Sequence, residues 1–378
     1  MTLANSSTGA GDRQQQSDRQ AKKWLWIASA LIGVLPGMTA LIVLGGGSLA
    51  WLVLPPLFYY GAVPLLDGLV GEDPFNPPET DVEALSQAPW YRVLLFASLP
   101  VGYFSIIASA VVATQPGLPI WAFLAAALSA AIVSGGAITV GHELGHKTGR
   151  LDQWGAKIAN AASGYGHFCV EHNRGHHVMV ATPQDPASAR FGESVWRFAT
   201  REIPGTLVRG WQLEAERLEK KGLGFRHWHN DILQGYAITL ALTLGLTIFL
   251  GPKALAFMAI NCPVGWLHLT FANYVEHYGL KRDKRPGGKY IACQPRHSWN
   301  TNHIVSNLLL FHLQRHSDHH ANPLRPYQAL RNFAELPRLP SGYPGSFLLA
   351  SVPPLWFKVM NPKVMSWAGG DMEKVNRG

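Results

Sequence analysis

The chain has 378 residues, of which 47% are hydrophobic and 15% charged, and its net charge is +8. The basic residues are spread through segments of mixed sign, with no arginine-rich run and no aromatic binding motif, which argues against a nucleic-acid-binding protein. The three cysteines form no Cys-x-x-Cys pair and are too few for an iron site with four cysteine ligands.

Long apolar segments dominate the first three quarters of the chain. About 20 apolar residues cross a bilayer as a helix, and six segments without Asp, Glu, Lys or Arg approach or exceed this length. The sequence therefore predicts an all-α membrane protein with six transmembrane helices. They are expected approximately at 24–43, 48–66, 93–113, 118–141, 232–251 and 255–274.

These helices pair into three hairpins, and the turns on the far side are very short. Lys253 is the one basic residue in those turns, at 44–47, 114–117 and 252–254. Because Lys and Arg beside the spans mark the cytoplasmic face, both termini and the long polar segments are predicted to be cytoplasmic. The expected parts are a polar tail at 1–23, a membrane domain at 24–277 with a cytoplasmic insertion at 147–231, and a cytoplasmic C-terminal region at 278–378.

Nine histidines form four clusters, and these clusters follow or lie between the apolar segments. Histidines three or four residues apart share a helix face, so each cluster is predicted to aim its nitrogens at one point. Nine donors exceed the four that one tetrahedral zinc takes, which favours two metal ions with four or five imidazoles each. A histidine-rich site of this kind suggests redox iron in a cytoplasmic catalytic region. The nine are His142, His146, His172, His176, His177, His277, His316, His319 and His320.

Four carboxylates lie directly beside or between these histidines: Glu143, Glu171, Glu276 and Asp318. Adjacent residues of a helix point about 100° apart, so these side chains cannot share the histidine face. They are predicted to accept hydrogen bonds from the ring N–H groups and so orient the imidazoles. His312, four residues before His316, is a weaker candidate ligand.

The four histidine motifs, in this order and spacing, resemble the bacterial integral-membrane alkane 1-monooxygenases. The matching segments are 142–147, 171–177, 273–279 with its His-Tyr-Gly, and 313–320, and the likeness extends from Lys23 to Gly370. The resemblance implies hydroxylation of medium-chain n-alkanes at the terminal carbon by O2. It also implies a non-haem centre of two irons held by the nine histidines, in the bacterial inner (cytoplasmic) membrane.

The same resemblance implies electrons from rubredoxin, which a flavin-dependent NADH–rubredoxin reductase reduces. A small acidic carrier is expected to dock on basic residues near the motifs, such as Lys281, Arg282, Lys284, Arg285, Arg325 and Arg331. An alkane has no polar group, so it must bind by apolar burial in a narrow channel between the spans. Phe58, Tyr59 and Tyr60 in the second span are the candidate wall residues.

Three other functions share parts of this pattern. His142-Glu143-Leu144-Gly145-His146 matches His-Glu-x-x-His, the zinc motif of metalloproteases, but an intramembrane zinc protease leaves seven clustered histidines without a role. A fatty-acyl desaturase or sterol hydroxylase of the membrane histidine-box type would share the chemistry. A metal transporter would need ligands near the bilayer midplane, whereas these are expected at one surface.

Overall fold

The computed structural model describes residues 22–378, so most of the predicted tail at 1–23 lies outside the described residues. Six helices are long and apolar enough to span a membrane, which confirms the expected fold class. Between residues 22 and 378, β-structure is limited to isolated bridge pairs. In chain order the main helices are α1 (Lys22–Leu44), α2 (Leu49–Val70), α3 (Pro89–Ala113), α4 (Ile120–Gly145), α5 (Arg150–Ala161), α6 (Val195–Glu219), α7 (Asp231–Leu250), α8 (Lys253–His277), α9 (His316–Ala321), α10 (Tyr343–Ser351) and α11 (Pro353–Trp367). The spanning helices are α1–α4, α7 and α8.

Helix α4 lies at the centre of the bundle and packs against α3, α5 and α8. Its buried face is rich in alanine, serine and glycine, the small residues that allow close packing of membrane helices. A Cβ atom at Gly135 would lie 2.6 Å from the ring of His268, so α8 approaches α4 at this point only because the residue is glycine. Pro263 does not interrupt α8, which continues to His277.

Helix α5 runs back into the bundle, although its residues belong to the predicted cytoplasmic insertion. The carbonyl of Ala162, just after α5, accepts a hydrogen bond from Asn261 Nδ2 at 2.9 Å. Asn261 lies 16 residues before His277, about 24 Å along α8 at 1.5 Å per residue. The chain then returns to the histidine end of the bundle through a tight contact between Gly166 and Gly235, where a Cβ on Gly235 would lie 2.8 Å from Gly166 Cα.

The C-terminal region packs against the end of the bundle where α4 and α8 finish. An aromatic cluster joins α8 to α10 and α11 and includes the buried rings of Tyr274, Tyr343 and Trp356. Helix α9 is anchored by Arg315, which is fully buried and donates to Asp73 Oδ2 (2.9 Å) and to the Leu330 carbonyl (2.8 Å). These contacts bring α9 next to the last turns of α4 and α8.

Candidate metal centre

The nine predicted histidines come together at the end of the bundle and form two adjacent groups. Within each group the possible ligand atoms all lie within 4.8 Å of one another. Eight of the nine are buried, and His177 is partly buried. The five-histidine group contains His142, His146, His172, His177 and His319, and the four-histidine group contains His176, His277, His316 and His320.

Two of the four sequence clusters divide between the groups, so the prediction that each cluster aims at one point is wrong for them. A π-helical turn spans His172–His176. Hydrogen bonding from i to i+5 in such a turn brings His177 over His172, with their Nε2 atoms 3.0 Å apart, and directs His176 to the other group. On α9, His316 and His320 share one group and His319 faces the other.

The geometry of the imidazole nitrogens fits metal binding. Two nitrogens at about 2.1 Å from one metal ion, at right angles, are about 3 Å apart. The Nε2 atoms of His177 and His319 are 3.1 Å apart, and those of His316 and His320 are 2.8 Å apart. Within residues 22–378, the buried Nε2 atoms of His142 and His277 have no hydrogen-bond partner and are therefore free to bind a metal ion.

Burial favours the neutral form that metal binding requires in His146, His172 and His319, which lie outside the spans. Burial, with smaller contributions from neighbouring positive charges, lowers the pKa of His146 to about 3. Burial, followed by the nearby imidazoles, also places the pKa of His172 and of His319 well below the ordinary value. The remaining histidines, including His312, lie outside both groups.

The carboxylate beside His176 is one that the sequence did not single out. Asp185 Oδ2 lies 2.9 Å from His176 Nδ1, and its other oxygen accepts from Arg209 at 2.7 Å. Although burial opposes ionisation, His176 and Arg209 keep the pKa of Asp185 below its ordinary value. Asp185 lies nine residues after His176 in a loop, where helical spacing gives no indication of its contact.

The four carboxylates chosen from the sequence behave differently from one another. Three pair with basic side chains: Glu143 with Lys147, Glu171 with Arg209, and Asp318 with Arg325. Glu276 instead lies against an imidazole, with Oε2 3.0 Å from His316 Nε2. Most of these carboxylates therefore pair with Lys or Arg side chains instead of accepting from the ring N–H groups of the histidines.

Two cavities lie next to each other, and the smaller one reaches the histidine groups. The larger is apolar and lies between α1, α2, α3 and α4, with Phe58 and Tyr59 in its wall. The smaller is lined by His142, His172 and His316. Tyr59 lines both cavities and therefore lies where they meet. The hydroxyl of Tyr60 instead donates to Nε2 of His268 at 2.8 Å, since Nδ1 of that ring donates to the Val264 carbonyl.

The basic residues expected to receive an electron carrier are not equally available. Arg282 is only 5% exposed and donates to the Val178 carbonyl, so the expectation that it contributes to a docking surface is wrong. Arg325 and Arg331 both form ion pairs with Glu79. Lys284 and Arg285 lie exposed in the loop after α8.

Comparison with known proteins gives consistent matches. Residues 119–347 match the family model described as fatty acid desaturase. Alkane 1-monooxygenase of Ectopseudomonas oleovorans is 52% identical over 358 residues, covering 94% of this chain and 88% of that protein. Alkane 1-monooxygenase of Pseudomonas putida is 50% identical with the same coverage of both chains. The xylene/toluene monooxygenase hydroxylase component of Pseudomonas putida is 30% identical over 61% of each chain.

Proposed function

The chain belongs to the alkane 1-monooxygenase family and is an oxidoreductase, and we propose that it converts medium-chain n-alkanes to 1-alkanols. The observation that carries the proposal is the pair of buried imidazole groups beside a small cavity that shares Tyr59 with a larger apolar one. In the reaction one atom of O2 enters the terminal C–H bond and the other leaves as water. The reaction also consumes two electrons and two protons.

The proposed metal centre contains two iron ions, one in each histidine group. Imidazole donors suit iron, and the close Nε2 pairs and unpartnered Nε2 atoms fit such ligation. When bound, iron supplies the redox chemistry that activates dioxygen. The protein buries the ligands and fixes the ring of His176 through Asp185, which leaves Nε2 of that ring free for the metal side.

The apolar cavity supports an alkane as the substrate. Each buried CH2 contributes about 0.8 kcal/mol, so a chain without polar groups can bind by burial alone. Tyr59 lines both the apolar cavity and the one that His142 and His316 line, so it lies at the proposed passage between them. An alkane that enters by this route presents its terminal carbon first, which favours hydroxylation at that carbon.

The proposed electron donor is rubredoxin, reduced by a flavin-dependent NADH–rubredoxin reductase. Cys169, Cys262 and Cys293 are unpaired and dispersed, which fits an electron supply from an iron–sulfur carrier rather than from a four-cysteine site built by these residues. Lys284 and Arg285 are the best available docking residues because they are exposed. We place the protein in the bacterial inner membrane with the histidine end and both termini in the cytoplasm, following the distribution of basic residues.

The test is metal quantification together with product analysis in purified, detergent-solubilised protein supplied with reduced rubredoxin and octane. We expect two irons per chain and 1-octanol as the main product. His277→Gln should lose iron and turnover, whereas His312→Gln, a buried histidine outside both groups, should retain two irons. One zinc per chain would instead favour a protease, and a carbon–carbon double bond in the product would favour desaturation.

A further inference from the structure

The two histidine groups are unequal, with five imidazoles in one and four in the other. Glu276 lies at the edge of the smaller group. We propose that Glu276 is a carboxylate ligand of the metal in the four-histidine group and brings its donors to five. The inference rests on the proposed metal centre and concerns a residue that the histidine pattern does not include.

The carboxylate of Glu276 lies on the side of the imidazoles where their Nε2 atoms converge. His316 Nε2 lies 2.8 Å from His320 Nε2, so both nitrogens face the same point. Glu276 Oε2 lies 3.0 Å from that nitrogen of His316 and 3.9 Å from Nε2 of His277. An oxygen 3.0 Å from one ligand nitrogen, on its metal-facing side, is close enough to become a further donor when a metal ion binds.

The electrostatic surroundings of Glu276 also favour binding of a cation. The residue is 2% exposed, and its other oxygen, Oε1, accepts a hydrogen bond from the hydroxyl of Tyr343. Among residues 22–378, its ion-pair contacts are with His277 and His316, and neither Lys nor Arg pairs with it. A buried carboxylate is costly unless it is paired or coordinates a metal, and a bound metal ion is often the largest charge in its site.

A mixed imidazole and carboxylate set suits ferrous iron. The competing role is orientation, in which Glu276 accepts the Nε2–H of His316 and that ring binds metal through Nδ1. The two roles differ in what an amide at position 276 would do. An amide oxygen still accepts a hydrogen bond from the ring, but it carries no negative charge for the metal.

The experiment compares the parent chain, Glu276→Gln and a matched control, each loaded with iron-57. The control is Glu202→Gln, the same change at another fully buried carboxylate, which accepts hydrogen bonds from Thr270 and Asn273 of the same helix α8. Iron per chain is measured after equilibration with a chelator, and Mössbauer spectra are recorded. Iron content and spectrum report on the ligand set without depending on turnover.

We expect Glu276→Gln to weaken the binding of one iron by more than about tenfold. Loss of a carboxylate that only contacts a ligand already weakens metal binding by about 10–100-fold. One component of its spectrum should change while the other stays, and the control should keep two irons and the parent spectrum. If Glu276→Gln does not fold, Glu276→Asp replaces it, and its shorter side chain should alter the same component. Two irons with the parent spectrum in the folded variant would overturn the role of Glu276 and leave the metal centre intact. A parent chain without two irons would overturn both.

Discussion

Replacing Asp185 by Asn removes the negative charge beside His176 while nearly preserving the size of the side chain. In the folded protein Asp185 Oδ2 accepts from His176 Nδ1, which directs Nε2 of the ring toward the four-histidine group. An amide can present its NH2 group to the ring and stabilise the wrong tautomer. Loss of such an outer carboxylate weakens metal binding by about 10–100-fold, or about 1.4–2.8 kcal/mol at 1.4 kcal/mol per factor of ten.

The assay for Asp185→Asn is competition of iron-loaded protein with a ferrous chelator, followed by measurement of iron per chain. We expect the variant to fall from two irons toward one at a chelator concentration that leaves the parent unchanged. Arg209 keeps an anionic partner in Glu171, which limits the damage to folding. The comparison is Asp318→Asn, a buried carboxylate beside His319 that pairs with Arg325. Equal or greater loss of iron from Asp318→Asn would refute the assignment of Asp185.

Tyr59→Ala should widen the junction between the two cavities and shift the preferred alkane to longer chains, measured as turnover of C6 to C16 alkanes; an unchanged profile would remove Tyr59 from the channel. Burial raises the pKa of Glu202 to about 7 from 4.5, despite opposing hydrogen bonds. Glu202 therefore loses its proton at a lower pH in the unfolded chain than in the folded one. The free energy of unfolding falls by about 3 kcal/mol as the pH rises from 4.5 to 7. Glu202→Gln should thus unfold at a higher temperature than the parent at pH 8, and the difference should vanish near pH 4. Replacing Lys284 and Arg285 by Glu reverses their charge and should slow rubredoxin-dependent turnover most at low salt, where screening is weak. Equal rates of variant and parent across a salt series would exclude docking at these residues.

Local sequence was sufficient for the spans and for selecting the nine histidines that the fold brings together. A bilayer fixes the length of an apolar helix, so an uninterrupted run such as 118–141 predicts α4 without knowledge of its neighbours. The short turn after α3 likewise follows from composition. The histidines stand out because imidazoles at spacings of three and four, in such number, serve few purposes other than metal binding.

Tertiary structure decided how those histidines are shared and what surrounds them. His172 and His176 fall in different groups because a local π-helical turn rotates the chain between them, and helical spacing in the sequence cannot reveal such a turn. Asp185 reaches His176 through a loop, and Glu276 faces the imidazoles only because α9 packs against the end of α8. The sequence by itself determined which helices cross the membrane and which side chains can hold metal, since both depend on periodicity along one helix. The division into two groups, the entry of α5 into the bundle and the position of Tyr59 between the cavities depend on contacts between distant segments, which only the folded chain brings together.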